Sequence, residues 1–213
     1  MNKIVVVLFS LCLLVACKEQ KKQPVANPVN LPVNGKDNHL PPIENGSNQY
    51  KDVDVSPLDM SYFPVDYPKL KTNDSTIAPP LARVIYSRPH LQGRHIFHEV
   101  LSYGEPWRMG ANEATELQLF TNASIQGKPI RAGRYTLYCI PQQKEWTIVF
   151  NSNTDSWGLQ QLHSKDVASF TIPVEEKNQS LEYYTMLFEK AAKGANLMMA
   201  WDNVELRLPI LFQ

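Results

Sequence analysis

The chain has 213 residues, 43% of them hydrophobic, and its 21 basic side chains are balanced by 21 acidic ones. A neutral chain with no Lys/Arg cluster in its folded part is a poor candidate for nucleic-acid binding, and the apolar content is ordinary for a globular domain. With a leader and linker set aside, roughly 150 residues remain, enough for one hydrophobic core and not comfortably two.

Lys3 precedes an apolar run from Ile4 to Ala16. That run is about the length of a signal-peptide core and too short for a permanent membrane-spanning helix. Leu14-Val15-Ala16-Cys17 then reads as a lipobox, with small residues before a cysteine that takes lipid and begins the mature chain. Residues 1–16 are therefore expected to be a lipoprotein signal peptide and Cys17 the lipidation site. Several acyl chains on Cys17 meet the need for more than one lipid anchor to a bilayer. The expected location is the bacterial cell envelope, periplasmic or surface-facing. A buried strand that happens to end in Cys would leave the basic start and the polar shift at Lys18 unexplained.

Of the three cysteines, Cys12 leaves with the signal and Cys17 is acylated. Cys139 is then alone, so no intramolecular disulfide can form. Alternation puts it with Tyr135 and Leu137 on an apolar strand face, where a lone Cys acts as a small hydrophobe.

Residues 17–52 read as the lipidated cysteine and a flexible Pro/Asn/Lys tether. Ten of the sixteen prolines lie between residues 18 and 80, and the first part of that stretch is too polar to order itself. A coil of about 35 residues reaches roughly 30–35 Å. A Pro-rich partner motif is the alternative, but no convincing PxxP with basic flanks is present. The domain is expected over 53–213, beginning with an extended arm, 53–80. Val53, Val55, Leu58, Met60, Tyr62 and Phe63 are too apolar for a solvated linker, and the prolines exclude a central strand or long helix.

From Leu81 onward, period-2 alternation between turn signals predicts strands at 81–87, 95–101, 115–121, 134–140, 145–151, 167–174, 181–189, 195–201 and 204–210. Asp202-Asn203 suits a two-residue hairpin loop. Asp155 to Lys165 could form a short helix, with Asp155 or Ser156 as its N-cap. Short strands at this spacing predict an all-β fold, an antiparallel β-sandwich or an open barrel.

Polar chemistry crowds into residues 86–115, YSRPHLQGRHIFHEVLSYGEPWRMGANEAT. The candidate ligand-binding residues are Arg88, His90, Arg94, Trp107, Arg108, Asn112 and Glu113, joined by Trp157 further along. Pro89, Gly93, Gly104 and Pro106 force bends, so Arg88, Arg108 and Glu113 are expected to form one charged cluster at an end of the sandwich. The competing reading makes Glu113 a neutraliser of buried arginines.

Within this stretch SRPHLQGR and WRMGANEAT, with the later AGRYTLYCIP, EWTIVFN and DSWG, resemble the signature of a bacterial family known as domain of unknown function 2911. SPLDMSYFPVDYP, from Ser56, looks like part of the same pattern, so the resemblance runs over roughly residues 54–213. The family is common among lipoproteins. It implies little about activity.

Several catalytic signatures are missing: GxSxG, GxGxxG, a P-loop and CxxC. His98-Glu99 begins an HExxH that fails at Ser102. On a strand, the offset of three between His95 and His98 sends their rings to opposite faces, and only His90 across the turn at Gly93 keeps a metal pair open. No metal site and no cofactor is expected. Glu105 and Asp155 stand beside Trp107 and Trp157, an arrangement that would also suit a glycosidase.

Three functions compete. The first is a non-catalytic module binding a polar or anionic ligand, such as a glycan or cell-envelope polymer, on its Trp- and Arg-rich loops. The second is a hydrolase using Glu113 with His90, with or without the help of a metal. The third is a purely structural envelope protein. A second acid or base within reach of Glu113 would favour the enzyme. An exposed Trp107 or Trp157 beside an open groove would favour the binding module.

Overall fold

Alternating strands assemble here into two antiparallel sheets. The computed structural model describes residues 56–213, which fall within a unit spanning Tyr50–Gln213. The signal segment, Cys17, the tether and the first three residues of the arm lie outside the described residues. In chain order the elements are β1 (Leu58–Phe63), α1 (Tyr67–Asn73), β2 (Ala82–Ser87), β3 (Thr115–Leu119), β4 (Ala123–Ile125), β5 (Lys128–Ile130), β6 (Gly133–Pro141), β7 (Glu145–Asn151), β8 (Asp166–Pro173), β9 (Glu175–Lys190) and β10 (Ala195–Phe212). One sheet has the order β1-β2-β3-β6-β7-β8 and the other β5-β4-β10-β9. The fold is an all-β sandwich.

Period-2 geometry divides each strand between core and surface. On β6, Tyr135, Leu137 and Cys139 are buried in the core, while Arg134, Thr136 and Tyr138 belong to the opposite face. On β3, Leu117 and Leu119 turn inward and Glu116 and Gln118 outward. Between the sheets lie Trp107, Trp146, Tyr184 and Trp201, with Trp107 stacked 5.6 Å from Trp201 and edge-on to Tyr184 at 4.9 Å. Burial in that core pushes the Cys139 thiol and the Tyr184 hydroxyl well above their ordinary pKa values.

β10 doubles back on itself. An added Cβ on Gly194 would lie 2.1 Å from the carbonyl oxygen of Ile210, whereas an uninterrupted strand would hold the two residues roughly 50 Å apart. The reversal falls at Asp202-Asn203. Asp202 has φ 52°, and inward parity switches there from Ala195, Leu197, Met199 and Trp201 to Val204, Leu206, Leu208 and Ile210. A two-residue loop requires that switch.

β9 runs past both arms of this hairpin. Glu175 and Glu176 pair with Glu205 and Val204, while Leu181–Lys190 pair along Asp202–Ala195. At the crossing, Ser180 donates to Asp202 Oδ1 at 2.8 Å. Lys177 reaches Glu175 and Glu205, both at 2.9 Å, and Arg207 reaches Glu175 at 3.0 Å and Glu189 at 2.9 Å. The carboxylates raise the Arg207 pKa, the hydrogen bond that Arg207 donates to Glu189 foremost.

Three expected elements differ. Residues 95–101 form a turn of π-helix, Ile96–Val100, with Leu101 N–H on the Ile96 carbonyl at 2.8 Å. Ile96, Phe97, Val100 and Leu101 recur at helical rather than alternating spacing, and they cap one end of the core. Phe97 stacks on Tyr103 at 4.0 Å.

The arm begins as a true edge strand, in register from Leu58↔Ser87 to Phe63↔Ala82, and then turns into the short α1. Phe63 anchors it by stacking 5.2 Å from Phe212. The helix expected over 155–165 reduces to one 3₁₀ turn, His163–Lys165. Asp155, at φ 57°, has a left-handed backbone that an N-cap does not use.

Gly194, at φ 75°, packs against backbone that cannot yield like a side chain. Gly194→Ala should cost roughly 2–4 kcal/mol, read as a lower urea midpoint with an unchanged slope.

Candidate functional site

The loop Trp107–Ala114 is built around a buried anchor. Trp107 exchanges both backbone hydrogen bonds with Cys139, each at 2.8 Å, and the residue is only 9% exposed. Its indole N–H donates to the Gly110 carbonyl at 3.2 Å, and the Thr115 hydroxyl donates to the Met109 carbonyl at 2.7 Å. Met109 is fully buried at φ 58°, and Asn112 takes φ 60°. A left-handed Met is strained, and only a surrounding structure that over-determines it keeps it so. With Trp107 and Met109 turned in, Arg108 turns out. Glu113 is exposed at the end of the loop.

A second loop docks on the first. Ala114 N–H donates to the Ser156 carbonyl at 3.2 Å, and Arg108 Nη1 donates to the Trp157 carbonyl at 3.4 Å. Gly158, at φ 81°, packs so closely that an added Cβ would meet the Cβ of Ala114 at 2.9 Å and that of Arg108 at 3.1 Å. The backbone of Trp157 is thus held by its neighbours while the residue remains 56% exposed.

Farther along, the loop is pinned to β6, β7 and β8. The Tyr138 hydroxyl donates to Asp166 Oδ2 at 2.9 Å and lies 3.0 Å from His163 Nδ1. Asn151 Nδ2 donates to Asp166 Oδ1 at 2.7 Å. Desolvation, then the Asp166 carboxylate, raises the Tyr138 pKa well above its usual value.

Between these loops and the outer face of the larger sheet lies a groove of about 380 Å³. Ile85 and Glu116 form its floor as a cross-strand pair, with Arg134 diagonal to Glu116 on β6. Leu58 from β1 makes one wall, and Glu113, Asp155 and Trp157 make the other. Arg134 Nη2 donates to both oxygens of Glu116, at 2.8 Å each, and to Asp155 Oδ1 at 3.0 Å. These bonds, Glu116 first, raise the guanidinium pKa further.

The residues singled out in the sequence divide into two neighbourhoods. Arg88 bonds to Asp59 at 3.3 Å, the Tyr184 carbonyl at 3.2 Å and Thr185 at 3.1 Å. His90 stacks on Tyr183 at 5.2 Å and faces Glu182 at 3.7 Å. Arg94 caps the Leu91 and His90 carbonyls at 2.8 and 3.0 Å. All three sit on the segment that meets β9. Glu113 and Trp157 line the groove, and Arg108 and Asn112 belong to its supporting loop. Arg88 thus pairs with Asp59, Arg108 reaches the Trp157 carbonyl, and Glu113 lines the groove.

Trp107 is a correction: as a core residue it offers no face to a ligand. The sequence reading missed Glu116 and Arg134. Both are outer-face residues of adjacent strands and become neighbours only through the register Gln118↔Arg134. Among the described residues no three of His, Cys, Asp and Glu gather as a possible metal set.

A family model described as Protein of unknown function (DUF2911) matches residues 69–210. The chain belongs to that family. The DUF2911 match contains both docked loops and every groove residue except Leu58, and it starts beyond the SPLDMSYFPVDYP block. No curated protein and no solved structure matches the chain.

The two tryptophans should separate on mutation. Trp107→Ala removes a buried ring from the DUF2911 core and should lower unfolding free energy by about 3–5 kcal/mol. Trp157→Ala should stay within about 0.5 kcal/mol of the parent in the same chemical denaturation.

Proposed function

We propose that this is a lipid-anchored protein of the cell envelope, held to the bilayer through acylated Cys17, whose domain is a non-catalytic module binding a glycan in the groove beside Trp157. One observation carries the reading: a tryptophan whose backbone is clamped on both sides presents an exposed ring at the mouth of a groove lined with carboxylates. Aromatic faces stack on sugar rings, and fixed carboxylates accept their hydroxyls, so a pre-formed site needs little ordering on binding. An anionic ligand has less support. Arg88 and Arg94 spend their donors on the protein itself, and Arg134 is claimed by Glu116 and Asp155.

The hydrolase alternative needs a partner for Glu113. His90 is not among the groove residues and is engaged with Tyr183 and Glu182. Glu116 and Asp155 both accept from one guanidinium nitrogen of Arg134, so neither is free to pair with Glu113 as its acid or base. A purely structural protein would have no use for an exposed Trp157 over an open groove.

Screened against immobilised envelope glycans, the intact protein should bind a subset of them. Trp157→Ala should abolish that binding with no change in melting temperature. Retained binding in Trp157→Ala, or no glycan bound at all, would refute the groove as a sugar site. Separately, Cys17→Ser should lose radioactive fatty-acid label and leave the membrane fraction. An unlabelled parent chain would rule out the anchor.

A further inference from the structure

The groove carries charge that its own residues do not cancel. Three carboxylates line it, Glu113, Glu116 and Asp155, against the single guanidinium of Arg134. Arg134 Nη2 is already held by both oxygens of Glu116 and by Asp155, at 2.8, 2.8 and 3.0 Å. Arg108 lines the neighbouring crevice under the second loop rather than the groove, with Nη1 on the Trp157 carbonyl at 3.4 Å. Glu113 is the carboxylate left over: exposed on the groove wall, with no ion pair to any described cation.

We propose that the groove selects a cationic glycan, a sugar chain bearing unacetylated primary amines, with an ammonium on Glu113 and an adjacent ring on Trp157. This rests on the glycan reading and adds a sign to it. An ammonium meeting a carboxylate makes a charge-assisted hydrogen bond, roughly twice as strong as the neutral bond a hydroxyl or acetamide would make. The Trp157 face attracts the same cation through its quadrupole. Leu58 and Ile85 supply the apolar surface that the C–H face of a sugar ring covers. Uronic acids meet the opposite condition, since like charge next to Glu113 and Asp155 is repelled.

The test compares two oligomers of equal length, one of glucosamine and one of N-acetylglucosamine. Each is titrated against the intact protein in detergent at mildly acidic pH, where the amines are protonated. The amine oligomer should bind at least about tenfold tighter. Glu113→Gln should bring the two affinities toward parity, with an unchanged melting temperature showing that the fold is intact. Trp157→Ala should abolish binding of both.

Equal affinities, or a preference that survives Glu113→Gln, would overturn the amine selectivity while leaving a sugar site standing. Amine-oligomer binding left undiminished by Trp157→Ala would mean diffuse attraction to an acidic surface, and would overturn it too. If no glycan of any charge binds, the glycan reading fails and takes this inference with it.

Discussion

Everything on the functional face depends on how Trp107 is buried. Its ring lies among Trp146, Tyr184 and Trp201, and its backbone is bonded on both sides to Cys139 in the middle of a sheet. A loop fixed at one buried aromatic cannot pivot, so the residues that alternate with it have a set direction. Arg108 emerges between Trp107 and Met109, and the left-handed residues Met109 and Asn112 turn the chain so that Glu113 arrives at the groove. Strain at Met109 costs about 1 kcal/mol or more and is tolerable only because burial of Trp107 is worth several times that. Rigidity bought in the core is what the exposed side of the loop uses.

Much of the sandwich was legible because period-2 patterns are explicit in the residues. Strands β2, β3, β6 and β7 follow the alternation within a residue or two. The turn at Asp202-Asn203 was legible as well, since the inward set passes from Trp201 to Val204 across two residues that accept positive φ. The segment 95–101 was not. Ile96, Phe97, Val100 and Leu101 satisfy part of an alternating pattern and all of a helical one, and a five-residue π turn is too short for periodicity to arbitrate. Asp155 misled for a different reason. It is a favoured N-cap residue, but it is also one of the few types that accept a left-handed backbone, and here the second property is used.

The site was half legible. Glu113 and Trp157 stood out because loop polars and aromatics are conspicuous between turn residues. Glu116 and Arg134 did not stand out, because on alternating strands they look like any solvent-facing pair. Sequence separation hides that β3 and β6 are neighbours, and only the register brings the Arg134 fork across to Glu116. Trp107 failed in the opposite sense. A tryptophan between Pro106 and Arg108 reads as a surface residue, yet the alternation Trp107-in, Arg108-out, Met109-in is itself a strand-like signal, and β-bridge pairing with Cys139 follows from it.

Arg134 sets the electrostatic character of the groove by what it leaves undone. One guanidinium bridging Glu116 and Asp155 holds a floor strand and a loop together. Exposed pairs of this kind contribute little to stability, so their effect is better sought in position than in energy. They fix Asp155, and with it the start of the loop that carries Trp157, while the close contact of Gly158 with Ala114 and Arg108 fixes the other side. Two contacts flank one exposed indole. A ring held in this way loses little freedom when it meets a ligand, and rigid aromatic area of that kind dominates binding energy in small interfaces. The same bridge occupies Arg134, the one cation lining the groove among the described residues, and on that ground the groove is proposed to favour a cationic ligand at Glu113.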